Sequence, residues 1–492
     1  MDGGRRAVES LDDDSKEAAA VSALPAAGRA LMSYQGRDAV VLGLGLTGYS
    51  LARYLAANGA NLRVADTRSR PPFAAKLAAA LPNVPVITGP IDDTTFIGVD
   101  LIAISPGVAK DLPPIAAAVA RGVELVGDIE LFARALPPGQ RVLAISGSNG
   151  KTTVTALTGA LCRAAGLATI VAGNIGDAVL DSLPPEGAWP DVFVLELSSF
   201  QLETTSSLAP TAAAVLNVTD NHLDRYADID AYARAKARIF AGGGSQVLNR
   251  DDPRSIAMRL PGRLVQTFGA GVPESEEAWG LVDRGMKRAS GSAVWLARGG
   301  ALLVPVTDLR LVGRHNALNV LAALALASAV AKLDRAVLAA ATSFEGLPHR
   351  MERITEAHGV LFVNDSKGTT VAATRVGLAG LDRPVVLIAG GDGKGQDFAP
   401  LRAAVDAHCR AVLLIGRDAP LIERALSGSN TIVERVGTLD AAVARAFALA
   451  QPGDAVLLSP ACASLDQFAD YAERGARFVD FVRARLGESA HA

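Results

Sequence analysis

Residues 141–153 read RVLAISGSNGKTT, and the rest of the chain is parsed from this run. Residues 141–146 form a short apolar strand. Gly147, Ser148, Asn149 and Gly150 make a tight glycine turn, and Lys151, Thr152 and Thr153 open a helix that runs to a stop at Gly166. Such a turn aims several backbone N–H groups into one small space. The helix N-terminus adds the positive end of its dipole, and Lys151 adds a full charge. The arrangement is a phosphate cradle, and a threonine hydroxyl beside it can ligate Mg²⁺. The longer G-x-x-x-x-G-K-[ST] pattern would need glycine where Ile145 stands, so this is a short variant. A glycine turn without ligand is the plainer alternative. Strand, GxxGK and threonine pair together favour nucleotide phosphate.

Upstream, a strand over residues 38–42 runs into Gly43-Leu44-Gly45-Leu46-Thr47-Gly48, then a helix, then a second strand that ends at Asp66. This is a G-x-G-x-x-G turn with an acid eighteen positions past its third glycine, which on spacing alone predicts NAD. Any nucleotide diphosphate would meet the same physical demands. Asp66-Thr67-Arg68 sets a cation beside the acid, useful for phosphate. Further strand ends follow at residues 100–107 and 123–128, and Pro137-Pro138-Gly139 has the composition of a linker.

Downstream, Gly173-Asn174-Ile175-Gly176 is another tight turn. An apolar strand within residues 191–203 delivers Glu196 to its end, the usual way to hold nucleotide-bound Mg²⁺. Residues 213–226 form a strand ending in Asn217, followed by His222 and Asp224. The helix IDAYARAKARIF carries Lys236. Residues 270–298, polar and glycine-bearing, are expected to be an irregular exposed excursion. A long helix over 311–332 starts with His315, Asn316 and Asn319; two amides three apart near a helix start suit a base or a phosphate. A third block has strands ending in Asp365, Lys367 and Thr369, in Asp392 and Lys394, and in a turn with Ser464 near a helix start. Cys462 lacks a motif-level base partner and is not read as a nucleophile.

At 492 residues, two to four domains are expected. Half the residues are hydrophobic and a fifth charged, with Gly and Ala abundant, as in an α/β protein with tight βα turns. A net charge of −3 argues against a bulk nucleic-acid surface. Three scattered cysteines indicate neither disulfide framework nor metal cluster, and reduced cytoplasm fits. Arg5-Arg6 has no apolar stretch after it, so no signal peptide is expected. The Ala-rich run 317–331 falls short of the roughly 20 residues of a membrane span. The expected layout is a disordered tail over 1–34, a nucleotide-binding Rossmann-like domain over 35–139, a central P-loop ATPase-like domain with a mostly parallel sheet over 140–343, and a Rossmann-like C-terminal domain over 344–492. The fold class is α/β.

The combined segments resemble the Mur ligase family of peptidoglycan synthesis, over roughly residues 38–486. The general signature is GSNGKTT with ELSSFQLE, NVTDNHLDRY, GRHNALN and LPHRME. GLGLTG, DTR, SPG, GDIELF, NDSKGTT, GGDGKGQDF and LLSPACASLDQF resemble the glutamate-adding branch. The resemblance implies a cytoplasmic, monomeric, ATP-dependent amide ligase that adds D-glutamate to UDP-N-acetylmuramoyl-L-alanine, with no nucleic-acid or membrane partner. It implies that Leu46, Thr47, Asp66, Thr67, Arg68 and Gly107 hold UDP rather than NAD, and that Asn174 contacts the same substrate. It implies that Gly147, Ser148, Asn149, Gly150, Lys151, Thr152 and Thr153 hold ATP phosphates, with Asn316, Asn319, Arg350 and Asp365 around the nucleotide. Thr152, Glu196, His222 and a carbamylated Lys236 would hold two Mg²⁺ ions, and Lys151, His222 and Lys236 are the catalytic candidates. Lys367, Thr369, Lys394 and Ser464 match the D-glutamate pocket. The family often has Phe where Tyr471 stands and Ala where Gly368 stands. A sister ligase, L-alanine-adding or folylpolyglutamate-type, shares the ATP parts but not the DTR and SPG segments or the lysine pair. An NAD-dependent dehydrogenase and a nucleotide-gated binding protein are the rivals from other classes.

Overall fold

The structure is a computed structural model that describes residues 33–184, 188–219, 225–288 and 291–487. Most of the expected tail, together with His222 and Asp224, lies outside the described residues. Tyr34, at the end of that tail, is buried and meets Tyr54 edge-on, with ring centroids 6.3 Å apart. The backbone falls into two compact units. The first comprises the chain up to Gln140 with Ala172–Asp191 and Leu197–Ala209; the second holds Arg141–Val171, Val192–Glu196 and the chain from Pro210 onward.

The first unit contains a five-stranded sheet of β1 (Asp38–Leu42), β2 (Asn61–Asp66), β3 (Val86–Thr88), β4 (Leu101–Ile104) and β5 (Glu124–Val126). The order is β3-β2-β1-β4-β5, and every pair is parallel. This is the strand order of a doubly wound sheet, which reverses between β1 and β4, the switch point beyond whose strand C-termini such folds form their crevice. Residues 40–42 are buried outright, as expected of a strand covered on both faces.

A nine-stranded sheet is built from β6 (Arg141–Ser146), β7 (Thr169–Gly173), β8 (Val192–Glu196), β9 (Ala212–Val215), β10 (Ser245–Asn249), β11 (Val265–Phe268), β12 (Ala278–Arg288), β13 (Gly291–Arg298) and β14 (Ala301–Pro305). Its order is β14-β13-β12-β11-β10-β9-β6-β8-β7. The helix Lys151–Ala164 follows β6 and shares a core with the helix Arg314–Ala327, whose residues from 320 to 327 are fully buried. A helix apolar all round belongs inside a protein. Among the described residues no helix is long and apolar enough to cross a membrane.

Residues 270–277 are irregular and mostly exposed, but from Ala278 onward the described part of the excursion expected over 270–298 is regular sheet. β12 and β13 pair antiparallel, and β14 continues the meander. Trp279 and Leu296 are fully buried, and the Trp279 indole N–H donates to Gln266 Oε1 at 2.8 Å. Glycines and charges on the solvated face hid the period-two pattern of Trp279 and Leu281.

The third sheet joins β15 (Glu352–Ala357), β16 (Val360–Asn364), β17 (Val385–Gly390), β18 (Cys409–Ile415), β19 (Ile432–Gly437) and β20 (Ala455–Leu458), in the order β15-β16-β20-β17-β18-β19. Only β15 is antiparallel to its neighbour. Ser464 does not sit near a helix start: the helix opens at Tyr471, capped by Asp470. Three largely parallel sheets with helical crossovers realise the expected α/β class.

Replacing Trp279 by Ala should remove a buried ring and its hydrogen bond, and lower unfolding stability by about 3–5 kcal/mol. Urea denaturation followed by circular dichroism measures it. A loss within experimental scatter would mean that the meander does not share the central core.

Candidate active site

Parallel strands hand their chain to the following helix at one edge of a sheet, so their turns collect there. β6 lies between β8 and β9. Glu196, the last residue of β8, pairs in register with Ile145 and is 2% exposed. Asn217, two residues beyond β9, reaches the same edge. Gly150 caps the Lys151–Ala164 helix at φ +83°, and a Cβ there would stand 2.6 Å from Asn319 Oδ1. Glycine is required both by the backbone angle and by that approach.

Asn217 brackets the turn. Its Oδ1 accepts from the Asn149 N–H at 2.8 Å, its Nδ2 donates to the Asn149 carbonyl at 3.1 Å, and its carbonyl accepts from the Ser148 N–H at 2.9 Å. The sequence offered one signal for this clamp, an amide directly after an apolar strand. Asn319 Nδ2 donates to Asn316 Oδ1 at 2.9 Å, and Asn316 Nδ2 donates to the Val312 carbonyl at 2.8 Å. The two amides singled out from sequence thus form one chain, ending against Gly150.

Two lysines converge on one oxygen. Lys151 Nζ donates to the Gly147 carbonyl at 2.8 Å and the Ser148 carbonyl at 3.0 Å. Lys236 Nζ donates to the same Gly147 carbonyl at 3.0 Å and lies 4.3 Å over the Tyr232 ring. Lys236 is 1% exposed. Burial pushes both amines below the usual lysine range; Glu196 partly opposes this at Lys151, while the Lys151 charge drives Lys236 further down. Positive charge is concentrated here beyond what Glu196 alone balances. Anionic oxygens, such as phosphate at Lys151, suit the cradle. Thr152 is half-buried and Thr153 buried.

Arg350 and Asp365 belong to the same unit. Arg350 lies between His349 and Met351, which hold left-handed backbone angles of φ +63° and +47°. Burial lowers the Arg350 pKa, and Glu196 and then Asp365 counter it. The guanidinium therefore stands within electrostatic reach of both the Glu196 and the Asp365 carboxylates. Asp365 Oδ2 accepts from Ser459 Oγ at 2.7 Å. Burial pushes Asp365 up to about 7, against the hydrogen bonds from Ser459 and Met351 and the charges of Arg350 and Arg474.

β16, β20 and β17 are adjacent, so the loops carrying Lys367 and Thr369, Ser464, and Lys394 are neighbours. Lys367 and Lys394 are exposed, Thr369 is half-buried, and Ser464 is 3% exposed. Lys367 Nζ donates to the Tyr471 hydroxyl at 3.3 Å and lies 4.7 Å over its ring. Arg474, invisible as a site residue from sequence, donates Nε to Ser366 Oγ at 3.0 Å and Nη2 to the Cys462 carbonyl at 3.1 Å, tying two of these loops.

In the first unit, Asp66 ends β2 and ties the glycine turn: Oδ2 accepts from the Leu44 N–H at 2.6 Å, while Arg68 donates from its backbone and Nε to Oδ1, both at 2.8 Å. Its pKa falls to about 2, first through the Arg68 side chain. A Cβ on Gly48 would stand 1.7 Å from the Gly43 carbonyl, so the third glycine serves helix–strand approach. Leu46, Thr67, Arg68 and Gly107 are exposed and Thr47 half-buried, all following β1, β2 or β4. Asn174 is exposed, directly after β7. Buried Asp128, not singled out from sequence, accepts from Gln201 Nε2 at 2.9 Å and is pushed up to about 6 by burial. Among the described residues no group of three or more His, Cys, Asp or Glu converges as a metal site, and His222 falls outside them.

Burial raises the Asp365 pKa above its unfolded value. Its contribution to stability is therefore complete below about pH 4 and is lost as pH rises through about 7. The unfolding stability of wild type relative to Asp365→Asn should decline across that window, as measured by urea titration at stepped pH. A flat difference would refute the shifted carboxyl.

Three family models match the chain: Mur ligase MurD-like, N-terminal domain, at residues 37–127; Mur ligase middle domain at 145–327; and Mur ligase, glutamate ligase domain, at 349–462. The UDP-N-acetylmuramoylalanine–D-glutamate ligase of Thiobacillus denitrificans is 52% identical over 477 residues, covering 93% of this chain and 98% of the relative. The ligase of the same name from Chromobacterium violaceum is 52% identical over 457 residues, covering 92% and 99%. In fold, the chain is similar to the UDP-N-acetylmuramate-alanine ligase of Thermotoga maritima, with a TM-score of 0.54 at 20% identity over 91% of this chain and 99% of that one. With three matching models and relatives of this identity over nearly its whole length, the chain belongs to the Mur ligase family.

Proposed function

We propose that this chain is an ATP-dependent ligase that joins D-glutamate to UDP-N-acetylmuramoyl-L-alanine in the cytoplasmic synthesis of peptidoglycan precursor, and that it works as a monomer. The observation that carries the ATP half is the convergence of Lys151 and Lys236 on the Gly147 carbonyl at the mouth of a glycine turn. The substrate half draws on the 52% identity to ligases of that name. In this reading residues 35–139 serve UDP, 140–343 ATP and 344–492 the amino acid.

A carboxylate is a poor electrophile and must be activated. The L-alanine carboxylate oxygen attacks the γ-phosphorus of ATP, the bond to the bridging oxygen breaks, and ADP leaves. The D-glutamate amine then attacks the acyl carbon, and inorganic phosphate departs from the tetrahedral centre as the amine loses its proton. Gly147, Ser148, Asn149, Gly150, Lys151, Thr152 and Thr153 cradle the phosphates, and Lys151 neutralises charge on the group in transfer. Asn316 and Asn319, next to Gly150, and with them Arg350 and Asp365, would contact the nucleotide. Leu46, Thr47, Asp66, Thr67, Arg68, Gly107 and Asn174 take the UDP substrate, and Lys367, Thr369, Lys394 and Ser464 take D-glutamate, one lysine for each carboxylate.

The Glu196 carboxylate and the Thr152 hydroxyl are hard oxygen donors, which fits Mg²⁺. With His222 and a carbamylated Lys236 they would hold two such ions, which supply Lewis-acid charge at the phosphates when bound. Burial favours the neutral Lys236 amine, which can add CO₂; starting from the ammonium, two protons leave in all, and a cation becomes an anionic oxygen donor. That would relieve the crowding of two amines on one carbonyl.

Intact-mass analysis of the product formed from ATP, UDP-N-acetylmuramoyl-L-alanine and D-glutamate tests the reaction. A product heavier by one dehydrated glutamate is expected, and unchanged acceptor would refute the assignment. Lys151→Ala should lower kcat by about a thousandfold or more, with the circular dichroism spectrum unchanged. Native mass spectrometry in bicarbonate should find one added CO₂ on Lys236, lost on acidification. A fully active enzyme without that adduct would remove the carbamate.

A further inference from the structure

The residue that builds the amino-acid pocket before any ligand arrives is one to which the proposed mechanism gives no role. Gln396 lies just past the glycine turn after β17, half-buried. Its carboxamide nitrogen donates to the carbonyls of Ala461 at 3.0 Å, Gly393 at 3.1 Å and Thr369 at 3.4 Å. Its carboxamide oxygen accepts from the Val371 N–H at 3.1 Å. One side chain thus touches the loop after β16, the loop after β17 and the loop after β20. Those loops carry Lys367 with Thr369, Lys394, and Ser464.

The same residue also closes the turn that presents Lys394. The Gln396 N–H donates to the Gly393 carbonyl at 3.0 Å, while the central residues Lys394 and Gly395 have φ of +50° and +76°. A tight turn with both central residues at positive φ favours Asn-Gly, and a lysine there is strained. Gln396 bonds the Gly393 carbonyl twice, through backbone and side chain, and so holds the lysine in that conformation. Backbone bonds between Ala461 and Gly368 at 2.9 Å, and between Asp392 and Ala463 at 2.9 and 2.8 Å, complete the fastening.

We infer that Gln396 is a positioning residue: its carboxamide clips the three loops together so that Lys367, Lys394 and Ser464 face the incoming amino acid in a preset arrangement. The inference rests on the assignment of those residues to D-glutamate. Without the clip the pocket must be ordered on binding, and that cost falls on the affinity for the amino acid. ATP and the UDP substrate, held by other loops, are spared.

The test is steady-state kinetics of wild type, Gln396→Ala and Gln396→Glu, with each of the three substrates varied in turn. Glutamate keeps the acceptor and the length but cannot donate to the three carbonyls. Both variants should raise the KM for D-glutamate about tenfold, with kcat and the KM values for ATP and UDP-N-acetylmuramoyl-L-alanine changed less than about twofold. Gln396→Met, which fills the same space without a donor, replaces the alanine variant if that one does not fold. An unshifted KM for D-glutamate, or a parallel shift in all three KM values with a lower melting temperature, overturns the positioning role. Wild type that releases no D-glutamate-dependent phosphate overturns the pocket assignment itself, and the inference with it.

Discussion

The Gly147 carbonyl receives two amines, Lys151 at 2.8 Å and Lys236 at 3.0 Å, and much of the second unit is arranged to make that possible. Both amines are desolvated there, which weakens the charged form of each, and Lys151 also reaches the Ser148 carbonyl. The contact persists because the frame around it is over-determined. β6 is flanked on both sides, Asn217 grips Asn149 from two directions, and Asn319 closes on Gly150. A rigid turn with unspent positive charge is preorganised for an anion, and preorganisation is where electrostatic catalysis gets most of its strength.

Glycine turns were the legible part of the fold. The strands assigned from sequence ahead of G-rich turns are present, because tight βα connections require glycine at fixed places and inner strands such as β1, β6 and β17 are buried on both faces. The meander of β12 to β14 was not legible. Its outer face is polar, and its alternation depends on a few large residues, Trp279 and Leu281 among them. The start of the last helix was misjudged for a related reason. The backbone bonds of residues 460–463 run to Gly390, Asp392 and Gly368, and only a single turn forms at Ser464 before the helix opens at Tyr471.

In the candidate site, charged and motif-bound residues could be named in advance, since a phosphate or a carboxylate demands them. Residues that hold those residues could not. Asp128 meets Gln201, Arg474 meets Ser366 and Gln396 meets Ala461 across 65 positions of sequence or more, and no local pattern encodes such reach; Asn217 could be placed at its strand end, but its hold on Asn149, 68 positions away, could not. Asp66 shows a related limit. Spacing marked it as the acid of a dinucleotide turn, while in the fold it is buried and draws Leu44 and Arg68 together, so its carboxylate shapes the turn itself.

The order β15-β16-β20-β17-β18-β19 has a bearing on how the polypeptide is made. β20, spanning Ala455–Leu458, is an inner strand, yet it is the last one translated. β16 and β17 each pair with it and not with each other. Until the ribosome has released residue 458, the third sheet exists only as two halves with bare inner edges. Such edges are open to pairing with other chains. A nascent chain of this topology thus passes through a late window of vulnerability to aggregation, in which a chaperone has the most to do.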